Sequence, residues 1–221
     1  MLEEYDFAAE RAAMVAEQIV GRGITDTAVI RAMRTVPREH FVLPEYVEFA
    51  YSDGPLPIPA EQTISQPYVV ALMISLLRLQ PEDRVLEVGT GSGYAAAVLS
   101  RIVRELYTVE RHAELAEYAR ERLAGLGYDN VFIRHGDGSL GWPEHAPYDG
   151  IIVAAGGPKV PQTLREQLAV GGRLVMPVGG RTSQSLVLVE RVGQDKFRQK
   201  KLQGVRFVPL VGEEGYRQRG H

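Results

Sequence analysis

Val85-Leu86-Glu87-Val88-Gly89-Thr90-Gly91-Ser92-Gly93-Tyr94 is the stretch on which the fold turns. A short apolar run ends in three alternate glycines, and a helical pattern, Tyr94–Val103, follows. Glycine is needed where a strand passes into a helix in this way, because the backbone takes unusual angles and a ligand comes close to the main chain. The spacing is Gly-x-Gly-x-Gly, whereas a dinucleotide fingerprint is Gly-x-Gly-x-x-Gly, and the Gly-Lys-Ser/Thr ending of a phosphate-binding loop is missing. Many tight turns share such glycines and hold no ligand, so the neighbouring elements have to decide.

From this turn onward, short apolar strands alternate with amphipathic helices. Strands are predicted at Val85–Val88, Glu105–Val109, Val131–Arg134, Gly150–Ala154, Arg173–Pro177 and Ser185–Val192. Helices are predicted between the first five, among them Ala113–Leu123 and Pro161–Leu168. Regular alternation implies a parallel sheet with helices on both faces. Ser185–Val192 and a seventh strand, Phe197–Leu210, are joined by the polar turn Gly193-Gln194-Asp195 and predict an antiparallel last pair. The fold class is therefore α/β: a doubly wound, mostly parallel sheet of about seven strands, plus N-terminal helices.

Upstream, Phe7, Met14, Val15 and Ile19 recur at helical spacing until Gly21-Arg22-Gly23. Asp26 is placed to cap a second helix carrying Val29, Ile30 and Met33, which ends before Pro37. Prolines and Asp53-Gly54 predict an extended loop from Tyr51 to Pro67, and Pro67 opens a further helix. Two segments follow: a helical extension at 1–54 packed on the core, and a main domain at 55–221 with a substrate loop and the C-terminal strands.

Composition narrows the function classes. The formal charge of -3 and pI near 6.0 give no basic footprint, so no nucleic-acid partner is expected. The lack of cysteine excludes disulfides, thiolate metal ligands and a cysteine nucleophile, and it fits the cytoplasm. The acidic start, Met1 to Asp6, does not resemble a secretory signal, and the longest apolar stretch, Val69 to Leu77, is too short to span a bilayer. His40, His112, His135 and His145 show no ligand spacing, so no metal is expected. A cytoplasmic monomer is the expectation.

Two more elements stand at successive strand ends. Glu110 closes the second strand, where a carboxylate can accept both hydroxyls of a ribose; the bland alternative is an exposed acid beside Arg111. His135-Gly136-Asp137-Gly138 follows the third strand, where Asp137 can accept a hydrogen bond from an adenine amino group. Alone, Asp-Gly is usually a turn. With the glycine loop, the three together predict nucleoside binding.

These residues resemble a known family. Glu87 to Gly93 looks like the first motif of the Rossmann-like S-adenosylmethionine methyltransferases. Five further segments, Thr63-Ile64-Ser65-Gln66-Pro67, His135-Gly136-Asp137-Gly138, Pro147-Tyr148-Asp149, Gly171-Gly172-Arg173-Leu174 and Arg206-Phe207-Val208-Pro209-Leu210, resemble the protein-L-isoaspartate O-methyltransferases. The resemblance runs from about Asp53 to Gly212, and the first and last of the five are its most specific parts. It implies S-adenosyl-L-methionine as cofactor, with Gly89, Gly91 and Gly93 against its methionine part and Glu87 beneath. Glu110 would hold the ribose, and Asp137 with Gly138 the adenine. Ser65 matches the active-site serine, and Ile64 and Val208 line the substrate site. The implied partners are proteins and peptides carrying L-isoaspartyl residues, with D-aspartyl residues as a further candidate substrate.

The chemistry fits a sparse site. A peptide α-carboxylate has a pKa of about 3.5, is already ionised at neutral pH, and needs no general base to attack a sulfonium methyl. The enzyme's work is placement, with carboxylate oxygen and methyl carbon held in line at roughly 3 Å. The loop Pro55–Pro67 is placed to act as a lid, and Val208-Pro209-Leu210 to offer an edge for an extended peptide. Ser65 has two readings, as a cap of the helix that Pro67 opens or as a donor that orients the carboxylate. Rival functions are a methyltransferase of the same fold acting on RNA or a metabolite, a nicotinamide oxidoreductase, and a binding module without activity.

Overall fold

The computed structural model describes residues 5–217. The outer ends of the two expected segments, residues 1–4 and 218–221, lie outside the described residues. Helix α1 (Phe7–Met14) starts on Asp6, whose carboxylate accepts the Ala9 N–H, and continues as a π-helical turn, Val15–Val20. Helix α2 (Thr27–Thr35) is capped by Asp26, which accepts from the N–H groups of Ala28 and Val29. The segment read as an extended loop holds a short hairpin, β1 (Leu56–Ile58) with β2 (Gln62–Ile64), before α3 (Pro67–Leu77). Its turn puts Ala60 and Glu61 at φ of 57° and 56°, unusual for residues with a Cβ.

The main sheet is built from β3 (Arg84–Val88), β4 (Glu105–Glu110), β5 (Val131–His135), β6 (Tyr148–Val153), β7 (Leu168–Gly179), β8 (Gln184–Gly193) and β9 (Lys196–Val205). Helices α4 (Tyr94–Ser100), α5 (Ala113–Gly125) and α6 (Gln162–Glu166) connect them. The seven strands run in the order β5-β4-β3-β6-β7-β8-β9. The pairs among β3 to β7 are parallel, and β8 is antiparallel to both neighbours. The chain builds outward from β3 to β5, then returns to the other side of β3, which leaves a crevice at the carboxyl ends of β3 and β6.

Burial on both faces explains why the central strands are nearly all apolar. Val85, Leu106, Ile152 and Val175 face one core with α1 to α5, while Leu86, Tyr107, Ile151 and Leu174 face a second core with α6. The second face is the thinner. No α-helix joins β5 to β6, contrary to expectation; two 3₁₀ turns, Gly138–Leu140 and Pro143–His145, do so. The glycines and prolines of that stretch interrupt a helical hydrogen-bond ladder. Tyr107, Trp142, His145 and Tyr148 pack ring against ring beside it.

The last strand also ends earlier than predicted. β9 stops at Val205, and residues 206–210 cross the carboxyl end of the sheet. There Gly156 donates to the Val208 carbonyl at 2.7 Å and accepts from Leu210 at 2.8 Å. The buried Gln184 side chain takes the Phe207 N–H at 2.9 Å and so draws the chain out of the sheet. The edge expected along Val208-Pro209-Leu210 is thus already occupied on one side. Among the described residues, no helix is long and apolar enough to cross a membrane.

Candidate active site

The glycine loop forms the floor of a cleft at the switch point. Gly91 has a φ of +53°, a conformation costly for any residue with a side chain, and its N–H donates to Glu110 Oε2 at 2.9 Å. A Cβ at Gly91 would also lie 3.4 Å from Ile58 of the hairpin, which closes over the loop. Gly93 works differently. At φ +89° it caps α4 without a side-chain bond and faces away from the cleft, its missing Cβ 3.2 Å from Leu123 of α5. Glycine here permits helix packing, whereas Gly89 and Gly91 line the cleft.

Glu110 is 4% exposed and lines the cleft at the end of β4. Its second oxygen accepts the His112 N–H at 2.9 Å, so one carboxylate fixes both the glycine loop and the start of α5. Glu87 lies beneath the loop, 1% exposed, and accepts from Thr108 Oγ1 at 2.6 Å. Having given its proton to Glu87, the Thr108 hydroxyl accepts from Thr90, also at 2.6 Å. Burial pushes the Glu87 pKa up to about 8, against the Thr108 hydrogen bond and with help from the nearby Glu110 charge. At neutral pH Glu87 is therefore mainly protonated.

Gly138 lines the adjoining wall, but the Asp137 side chain does not. Its Oδ1 accepts from Ser139 N and Oγ at 2.8 and 2.7 Å, and its Oδ2 from Glu213 N at 2.7 Å. The Asp137 carboxylate fastens the C-terminal segment to the turn after β5.

Ile64, Ser65 and Val208 all line the cleft, opposite the glycine loop in sequence but beside it in space. Ser65 is not a cap. The N-cap of α3 is Gln66, which makes no side-chain cap bond, and the Ser65 hydroxyl has no partner among the described residues. Its carbonyl is held by Arg38, a residue that no motif singles out. Arg38 is 0% exposed, sits over the Tyr94 ring at 4.6 Å, and donates to the carbonyls of Ser65 and Ala50. Burial lowers its pKa, opposed by Tyr94 and Tyr51. A second cleft adjoins the first and shares Thr63, Ser65, Ala154, Val208 and Pro209 with it.

Comparison with known proteins decides the family. The model of the protein-L-isoaspartate(D-aspartate) O-methyltransferases matches residues 9–215. The chain belongs to that family.

It is 61% identical over 207 residues to protein-L-isoaspartate O-methyltransferase 2 of Pelobacter propionicus, covering 93% of this chain and 92% of the relative. A solved protein-L-isoaspartate O-methyltransferase superposes with a TM-score of 0.84 at 32% identity, covering 93% of this chain and 67% of that one. A beta-aspartate methyltransferase from Plasmodium falciparum, in complex with S-adenosyl-L-homocysteine, superposes with a TM-score of 0.78 at 25% identity, over 94% and 99% of the two chains.

The cleft suits a family methyltransferase. A sulfonium nucleoside needs an acceptor for ribose hydroxyls, apolar walls for a purine, and close main-chain approach for its amino-acid end. Glu110 lines the cleft together with Val88, Val109, Leu115 and the glycine loop. Among the described residues, no group of three His, Asp or Glu is placed to hold a metal ion.

Proposed function

We propose that this protein repairs damaged polypeptides by transferring a methyl group from S-adenosyl-L-methionine to the free α-carboxylate of L-isoaspartyl residues. The observation that carries the reading is Ser65, whose free hydroxyl stands where the nucleoside cleft meets the second cleft. A small metabolite needs one cleft, whereas a peptide reaching a buried cofactor needs an approach.

The cofactor supplies an electrophilic methyl carbon. Gly89 and Gly91 hold its amino-acid end, Glu110 the ribose, and Gly138 the edge of the adenine. Glu87 and Asp137 act at one remove: Glu87 sets Thr108 and Thr90 under the loop, and Asp137 fixes the turn that presents Gly138. Gly93 lets α4 pack closely enough to aim the loop. Ser65 donates to the substrate carboxylate and orients it, while Ile64 and Val208 flank it. Because the carboxylate arrives ionised, no residue has to remove a proton. Anion and sulfonium become neutral ester and thioether, which a cleft closed by the hairpin favours over hydrated ions.

The ester then cyclises without the enzyme: the following backbone nitrogen attacks the ester carbonyl, methanol leaves, and water opens the succinimide at one carbonyl or the other to give an aspartyl or isoaspartyl linkage. Monomeric action in the cytoplasm belongs to the same reading, as does the lack of a nucleic-acid partner, which the formal charge of -3 supports. Chromatography of an isoaspartyl peptide incubated with enzyme and cofactor tests it. The aspartyl form is expected to accumulate over repeated rounds, and a peptide that stays wholly isoaspartyl contradicts repair. A D-aspartyl peptide in parallel tests the second substrate class.

A further inference from the structure

The second cleft has a sign. Among the described residues it is lined by Arg22, Arg181 and Arg206 and by no aspartate or glutamate, on a chain whose formal charge is -3. The three cations are not equivalent. Arg22 lies 3.0 Å from Asp53 Oδ2 and over the Tyr68 ring at 3.4 Å, so its charge is largely compensated. Arg181 donates to the Arg217 carbonyl at 3.3 Å and lies over Tyr216 at 4.5 Å, contacts that position the guanidinium without neutralising it. Arg206 is exposed and has no hydrogen bond, ion pair or ring contact among the described residues. It stands where the chain leaves β9, two residues before Val208.

A basic surface residue is ordinarily just a solvated one. Here two uncompensated cations converge on a cleft that shares Ser65 and Val208 with the reacting site. We propose that this cleft takes the polypeptide flanking the isoaspartyl residue and selects acidic flanks, with Arg206 and Arg181 as the specificity-determining residues. The proposal rests on the isoaspartyl reading of the reacting site. Tyr68, Val69 and Phe207 offer apolar wall to the flanking chain, while the guanidinium groups meet aspartate or glutamate side chains within it. The net charge of the whole protein works against acidic peptides, so a preference for them has to come from this local field.

Three isoaspartyl peptides differing only in flanks of Glu, Gln or Lys provide the test. Two readouts are taken: methylation kcat/KM, and anisotropy of labelled peptide on enzyme saturated with S-adenosylhomocysteine. Exposed pairs are individually weak, so the acidic peptide is expected to exceed the lysine peptide by about five- to tenfold at low salt, with the glutamine peptide between. The ratio is expected to shrink below about twofold at roughly 0.5 M salt. In the double variant Arg181→Glu and Arg206→Glu the order is expected to invert, with S-adenosylhomocysteine affinity reporting an intact fold. Equal values for the three peptides in the unmodified enzyme overturn the proposal, as does a ratio that the double variant leaves unaltered. If no peptide is methylated yet anisotropy keeps the predicted order, the selectivity of the cleft stands and the reading of the reacting site falls.

Discussion

Arg38 Nη2 donates to the main-chain carbonyl of Ser65 at 2.9 Å, and the same guanidinium donates through Nε to Ala50 at 2.7 Å. A buried cation in the N-terminal extension thus holds the residue assigned to the substrate carboxylate. Arg38→Met leaves both carbonyls without that donor and is expected to cost about 2–4 kcal/mol. Arg38→Lys keeps the charge and loses the planar fork, so turnover is expected to fall while cofactor affinity holds. Thermal unfolding beside single-turnover rates checks both; a lysine variant with unchanged kcat and melting means that the link to Ser65 is idle.

Ser65→Ala separates orientation from stability. With Gln66 at the N-cap and no partner for the Ser65 hydroxyl among the described residues, melting and cofactor affinity are expected to stay near those of the unmodified protein. Turnover is expected to fall about ten- to a thousand-fold, as for other positioned donors. Early melting with normal turnover would mean that the hydroxyl serves the helix after all.

Glu110 serves two tasks in the structure, so its removal is expected to show twice. Glu110→Ala releases the N–H groups of Gly91 and His112 and removes the proposed ribose acceptor. Calorimetry with S-adenosylhomocysteine is expected to show affinity weaker by about 1–3 kcal/mol. Gly91→Val is expected to nearly abolish binding, since it places a branched side chain at φ +53° beneath Ile58. Unchanged affinity in both variants counts against the cleft as the cofactor site.

Glu87 gives stability a pH signature. Its pKa in the folded protein is raised from 4.5 to about 8, so the fold binds a proton that the unfolded chain releases first. The stabilisation is complete below pH 4.5, declines as pH rises to about 8, and is flat above, with a slope of at most about 1.4 kcal/mol per pH unit. Glu87→Gln keeps an acceptor for Thr108 and removes the titration. Denaturant midpoints from pH 5 to about 8 are expected to fall less steeply in the variant; parallel curves would mean that Glu87 is ionised throughout.

How far the site was legible in the sequence depended on direction more than on position. The strands and the glycine loop declared themselves, because burial on both faces leaves runs such as Val85-Leu86 and Ile151-Ile152-Val153 that little else produces. Ser65, Glu110 and Val208 came from motifs and reached the cleft together. Asp137 and Gly93 occupy motif positions too, yet point into the protein, and residue type alone does not reveal which way a side chain turns. The hairpin at 56–64 was masked by its prolines, which read as loop. Arg38 was invisible because an arginine after a helix looks solvated until Ala50, Ser65 and Tyr94 are seen around it. The alternation of apolar residues runs on past Val205, while the Gln184 side chain that diverts the chain there is distant in sequence.

Transfer of labelled methyl from S-adenosyl-L-methionine to an isoaspartyl peptide and to its aspartyl twin is the most direct measurement of all. The two differ only in which carboxylate of one residue is free, so they isolate placement from every other property of the substrate. Label is expected on the isoaspartyl peptide, with the twin inert and the signal reduced by Ser65→Ala. Equal labelling of both peptides, or of neither while S-adenosylhomocysteine binds normally, would contradict the assignment.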